Sequence, residues 1–289
     1  MTAATAVGTA PAPASPRVDL DEYRRDGLVV APLTLPAALL ERMRASLDRL
    51  LVNSADIAPE SLICPHIANG ARHPAAEAAD WFEYASAPCI LDLVEQVVGP
   101  DIVLWGSQVF CKPARTGREV PWHQDGEYWP IRPLATCSVW IALDPATPDN
   151  GCMRFIPGSH AAGRLHPHND AARADRVLGL EVDARSFDAG SARDDVLAPG
   201  QCSLHDVFLI HGSGPNRSAQ RRAGFVVRFM PATSRFDRTI GDLQTQAGVA
   251  FSLSRRPIWL VRGSDRAGND FATGHGEDFG LVPRWSDDL

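Results

Sequence analysis

At Ile102 the hydrophobic period of this chain changes from that of a helix to that of a strand. Residues 36–52 read as an amphipathic helix, with Leu39, Leu40, Met43, Leu47, Leu50 and Leu51 on one stripe and charged positions between them. Shorter helical patterns follow at 75–85 and 90–98, the second stopped by Gly99-Pro100. From Ile102 onward apolar and polar residues alternate, giving strand candidates at 102–112, 136–144, 152–156, 201–205, 207–211 and 224–231. Clusters of Gly, Pro, Asn and Asp punctuate them, as at 147–151 and 212–216. Helices first and many strands afterwards predict an α+β, mainly β fold, in which helices buttress one face of a rolled sheet. Residues 161–200 and 232–289 have no firm period and are expected to be loop-rich, and no internal repeat is present.

A chain of 289 residues can form one such domain, because barrel-type β domains reach about 200–250 residues. Residues 1–16, rich in Ala, Thr and Pro and without a signal-peptide pattern, are expected to be a disordered tail, leaving 17–289 as the domain. The formal net charge of −7 argues against a nucleic-acid partner, and no apolar run is long enough to span a membrane. Six cysteines occur without a C-x-x-C pair, which predicts reduced thiols and a cytoplasmic location. Nothing in the composition fixes an oligomeric state.

The chemistry sits in a few spaced residues. In His123-Gln124-Asp125 an imidazole and a carboxylate are two apart, so on an extended segment both face the same side. With His211, delivered by a non-local strand, they would make a face of two imidazoles and one carboxylate. Such a face leaves open positions on a divalent metal, the arrangement of non-haem Fe(II) oxygenases. Arg222, eleven residues beyond His211, could offer a fixed positive fork to a carboxylate near that metal. On the strand 136–144, Val139, Ile141 and Leu143 form an apolar row for the helices, while Thr136, Ser138 and Trp140 point to the interior. His205 lies an even number of residues before His211, and His160 is another unassigned imidazole, so the third ligand is open on spacing alone.

Three blocks in order resemble the phytanoyl-CoA hydroxylase-like (PhyH) dioxygenases across roughly residues 100–232. They are Trp122-His123-Gln124-Asp125 with Tyr128-Trp129-Pro130 and Arg132-Pro133; Asn150-Gly151-Cys152 with Pro157-Gly158-Ser159-His160; and His211-Gly212-Ser213 with Asn216, Ser218 and Arg222. The opening from Asp21 to Val30 is similar as well. The resemblance implies a double-stranded β-helix (a jelly-roll, cupin-like core over about 100–232) carrying an Fe(II)- and 2-oxoglutarate-dependent oxygenase that consumes O2 and acts on a small molecule. It selects His123, Asp125 and His211 as metal ligands and leaves His205 a structural role.

By the same resemblance Arg222 rather than Arg221 anchors 2-oxoglutarate, helped by Ser213, with Trp140 beside it. Gln108, on a strand expected to cross the pocket mouth, is counted with these cofactor-binding residues and could also line the substrate space. Trp129, Tyr128 and Trp105 are expected to contact substrate, and Arg132 either to meet a substrate anion or, as the preferred reading, to fix a loop through an ion pair. Related halogenating enzymes replace the carboxylate ligand with a small residue, so the presence of Asp125 favours hydroxylation. Two other readings remain at this point: a cupin-like non-redox metal enzyme, which would have no use for Arg222, and a non-catalytic binding protein. No residue names the substrate.

Overall fold

The computed structural model describes residues 16–67, 75–239, 243–246, 249–253 and 256–273. Apart from Pro16, the expected tail lies outside them. Among the described residues a seven-stranded antiparallel sheet runs in the order Leu28–Thr34, Gln201–Asp206, Cys137–Ala142, Arg222–Pro231, Ile102–Lys112, Trp259–Arg262, with Leu62–Ile63 also paired to Ile102–Lys112. A four-stranded sheet runs Arg193–Asp195, Met153–Phe155, His211–Ser213, Val120–His123. The chain visits the two sheets in turn: 102–112 in the large one, 120–123 in the small, 137–142 large, 153–155 and 193–195 small, 201–206 large, 211–213 small, 222–231 large. That alternation is the double-stranded β-helix.

Period-two patterning decides which face of the large sheet meets the helices. Val139, Ile141, Leu204, Phe225 and Val227 are fully buried in one apolar cluster. The helix Ala37–Asn53 brings Leu40, Met43, Leu47 and Leu50 to it, and Pro88–Val98 brings Ile90, Leu91, Leu93 and Val94. Each such side chain contributes about 1.5–3 kcal/mol by leaving water, which holds the helices to that face. Pro88 occupies the first helical turn, where a missing N–H costs nothing, and Gly99 ends the helix at φ 89°. Trp140 and Val226, the alternate residues, face the other way into a separate cluster.

Three expectations need correction. The run 207–211 is not one strand: Asp206 ends its strand, its carboxylate accepts from Phe208 N at 2.8 Å, and the chain crosses to the small sheet before His211. This Asx turn offers the backbone a local partner in place of the ladder. The sheet also extends beyond 100–232 at both edges, through Leu28–Thr34 and Trp259–Arg262. Residues 161–200, expected as loop, contribute Arg193–Asp195 to the small sheet and a paired hairpin, His168–Asp170 with Leu180–Val182. The strands within 161–200 are three residues each, too short to carry a readable period.

Candidate metal centre

His123 ends the strand Val120–His123 and His211 begins His211–Ser213, and the two are direct cross-strand partners. Their ring centroids lie 4.2 Å apart. Each Nδ1–H donates to a backbone carbonyl two residues upstream, His123 to Pro121 at 2.9 Å and His211 to Leu209 at 3.0 Å. A carbonyl only accepts, so each Nδ1 carries the proton and each Nε2 keeps a lone pair for a metal. Burial, and then the neighbouring His123, pushes His211 well below the usual histidine range and keeps it neutral.

Asp125 reaches the histidines by leaving the strand. Gln124 is extended, and Asp125 opens the 3-10 turn Asp125–Tyr128. One carboxylate oxygen lies 3.6 Å from His123 Nε2. The other accepts from Ser138 Oγ at 3.4 Å and faces His205 Nε2 at 3.5 Å. Burial opposes the charge, but the imidazoles of His123 and His205, with His211 and Arg228, outweigh it and hold Asp125 well below the usual carboxylate range. Ligand atoms of His123, Asp125 and His211 all lie within 4.8 Å of one another, and all three residues are buried. An ionised carboxylate with two neutral imidazoles fits a divalent iron. Gln124, between two of them, donates to Phe208 O at 2.7 Å and Arg164 O at 3.1 Å, fastening the crossover that delivers His211.

Arg222 closes the other end of the same cavity, which His123, Asp125, His211, Trp140 and Ser213 also line. Its Nη2 donates to Gly151 O at 2.7 Å and lies 3.5 Å from Ser213 Oγ, and the guanidinium sits 5.4 Å from the centre of the Trp140 ring. The Nε–H is buried without an acceptor among the described residues, and burial pushes the group down to about 10. Gly151 can present that carbonyl because it adopts φ 76°, after the turn capped reciprocally by Thr147 and Asn150. Gly224 is required for a different reason. A Cβ there would fall 2.1 Å from the indole of Trp140, so only glycine lets the ring lie across the strand. Ser159 Oγ accepts from Ile210 N at 2.9 Å, and Asn216 donates to Lys112 O and Gln220 O, so the remaining motif residues brace the segments that carry His211 and Arg222.

The family profile of phytanoyl-CoA dioxygenases (PhyH) matches residues 23–224. The chain belongs to this family. Human peroxisomal phytanoyl-CoA dioxygenase is 25% identical over 274 residues, spanning 83% of this chain and 79% of that protein. Among solved structures, the non-haem monooxygenase ThoJ is similar with a TM-score of 0.67 at 26% identity, covering 89% of this chain and 88% of ThoJ. EvdO2 from Micromonospora carbonacea var. aurantiaca, complexed with 2-oxoglutarate, is similar with a TM-score of 0.55 at 30% identity, covering 74% and 89%. This dioxygenase is therefore a non-haem iron enzyme that uses 2-oxoglutarate, built on the double-stranded β-helix.

A second cavity of the dioxygenase opens from the same carboxylate and shares Phe110, His123, Asp125 and Arg228 with the first. Trp105, Tyr128 and Trp129 line it, on the side expected for substrate. Gln108 lines it too and does not line the Arg222 cavity. Strand parity indicated the face of Gln108 but not its position along the strand. Arg221 points outward to Asp144 at 2.9 Å and Asp48 at 2.8 Å. His160 bonds the Arg24 carbonyl at 3.1 Å, away from both cavities. Arg132 fixes its loop by donating to Ile131 O at 2.7 Å, a carbonyl rather than the ion pair expected.

Phe110, Arg228 and Arg256 also line the substrate side, and none of them is expected there from the sequence. Arg228 was reachable, being six residues beyond Arg222 and so of the same parity. Phe110, two residues beyond Gln108 on the same strand, shared its parity, whereas Arg256 left no comparable signal. His205, taken from sequence as structural, lies within the cavity and against Asp125.

Proposed function

We propose that this dioxygenase hydroxylates an unactivated C–H bond of a small-molecule metabolite or biosynthetic intermediate, releasing succinate and CO2. One observation carries the reading: Asp125 is common to two cavities, one ending in a buried arginine with an unused N–H and the other walled by tryptophans. His123, Asp125 and His211 would hold the iron, which when bound supplies O2 activation coupled to decarboxylation of the 2-oxo acid. Arg222, with Ser213, would bind the distal carboxylate of 2-oxoglutarate as a bidentate, charge-assisted pair. Trp140 forms the wall that keeps this end dry. Trp105 and Trp129 would exclude water on the substrate side and hold one C–H bond toward the metal. Ser138 and His205 hold the second oxygen of Asp125, leaving the first for coordination. Retention of Asp125 supports oxygen transfer over halide transfer. Six free cysteines support a reducing, cytoplasmic setting.

The test needs no substrate at first. Anaerobic apoprotein given Fe(II) and then 2-oxoglutarate should develop a saturable visible charge-transfer band that His211→Ala abolishes. Metal binding without such a band would refute the assignment. Candidate substrates should then raise succinate release and gain one oxygen atom by mass.

A further inference from the structure

The substrate-side cavity holds a half-buried guanidinium, that of Arg228, which the fold leaves poorly matched. Arg228, on the strand Arg222–Pro231, lines both cavities, and Arg256 lines the substrate side. Both are fixed on aromatic faces: Arg228 5.4 Å from the centre of Trp129, and Arg256 6.0 Å from that of Trp105. The two tryptophans meet edge-on at 4.5 Å between centroids, so the arginines hang from one aromatic hub. The only hydrogen bond Arg228 makes among the described residues is a long one, from Nη2 to Gln108 Oε1 at 3.4 Å. Its Nε–H is buried without an acceptor there, and it has no ion-pair partner among them. Trp105 Nε1–H is likewise buried without an acceptor among the described residues. Burial, and the repulsion of Arg256, both work against the charge of Arg228, with Asp125 opposing them.

Asp125 cannot remain that counter-charge in the working enzyme. Iron(II), Asp125 and dianionic 2-oxoglutarate leave one negative charge, which Arg222 cancels. Arg228 then faces an aromatic cavity that also presents the unused Trp105 N–H donor. Buried donors and charges of this kind are costly until a partner arrives.

We propose that the primary substrate carries a carboxylate that Arg228 binds, with Arg256 beside it, and an apolar body that lies against Trp105 and Trp129. This rests on the oxygenase reading above and names the substrate class it would act on. Because Arg228 also borders the cosubstrate cavity, the carboxylate end lies nearest the metal, and the oxidised carbon is close to it in the molecule.

Calorimetry on the anaerobic full-length protein loaded with Fe(II) and 2-oxoglutarate tests this. The probes are phenylacetate, 3-phenylpropionate and indole-3-acetate, each beside its primary amide. At least one acid should bind about tenfold or more tighter than its amide, the worth of one charged hydrogen bond. In Arg228→Met the preference should vanish, while the charge-transfer band and its 2-oxoglutarate saturation are kept. Removing a charge that is unmatched once Asp125 is committed should also raise the Tm of the anaerobic protein loaded with Fe(II) and 2-oxoglutarate. No acid preferred over its amide, or a preference that survives Arg228→Met, overturns the proposal. So does weakened 2-oxoglutarate binding in that variant, which would assign Arg228 to the cosubstrate. A lowered Tm would mean that the fold itself satisfies the guanidinium, and it overturns the proposal equally. A wild-type protein that gives no band at all would instead remove the oxygenase reading beneath.

Discussion

Replacing Arg222 by methionine isolates the cosubstrate anchor from the metal. Arg222 is 2% exposed and commits one Nη to Gly151 O at 2.7 Å, which leaves its remaining donors for a carboxylate. The variant keeps the bulk beneath Trp140 and removes the charge. Losing one partner of a buried, hydrogen-bonded charge pair costs about 2–5 kcal/mol, or about 30- to 5,000-fold in Kd. The lower half of that range is the better expectation, because burial already holds the guanidinium down to about 10 and its desolvation is shared with the empty enzyme. Titrating 2-oxoglutarate into the anaerobic Fe(II) protein at the charge-transfer band reads this Kd directly. Fe(II) affinity without 2-oxoglutarate should be unchanged, since neither His123, Asp125 nor His211 bonds to Arg222. A 2-oxoglutarate Kd within about threefold of wild type, or loss of Fe(II) along with it, would refute the reasoning.

Asp125→Ala should abolish both Fe(II) binding and succinate release, whereas His205→Ala should keep the metal; iron retained in the first or lost in the second would reassign the ligand set. Gly224→Ala drives a methyl into the Trp140 indole, and overpacking of about 1–3 kcal/mol should lower Tm by several degrees and weaken 2-oxoglutarate, both read by calorimetry. Burial raises the Asp195 carboxyl from 3.8 to about 6, against the Ser203 hydroxyl that donates to it at 2.7 Å. A raised folded value means the native state holds its proton longer, so stability from this group is present below pH 4 and lost as pH rises to about 6, at a cost of about 3 kcal/mol. Asp195→Asn should therefore raise Tm at pH 7.5 and give little change at pH 4, and equal shifts at both would discard the burial argument.

What the sequence made legible was local or periodic. The alternation along 136–144 needs only the backbone repeat, and the structure puts Val139 and Ile141 on the helix side and Trp140 on the cavity side, whereas Asp125 joins His123 from a 3-10 turn beyond the strand end. Parity failed where the strand was not continuous. The even separation of His205 and His211 would put them on one face only in a continuous strand, yet the Asp206 turn sends them to different sheets, and their rings lie 5.0 Å apart across the barrel. Arg256 was out of reach for a different reason, since it arrives from beyond the expected core through tertiary packing rather than any repeat. The edge strand Trp259–Arg262 was hidden likewise, being four residues long and defined by pairing with Leu104 and Val103.

The centre also joins the two sheets, and this has an energetic consequence. His123 and His211 belong to the small sheet, while Ser138 and His205, which hold Asp125, are cross-strand partners on the large one. A metal bound by His123, Asp125 and His211 thus ties the rim of one sheet to a carboxylate fastened to the other. Without it, the two imidazoles are packed at 4.2 Å between ring centroids beside the Asp125 carboxylate. A ligand that binds only the native state stabilises it by about 2.7 kcal/mol at a hundred times its Kd. Here that stabilisation acts across the sheet–sheet seam, so metal occupancy should govern how tightly the two cavities on either side of Asp125 are shaped.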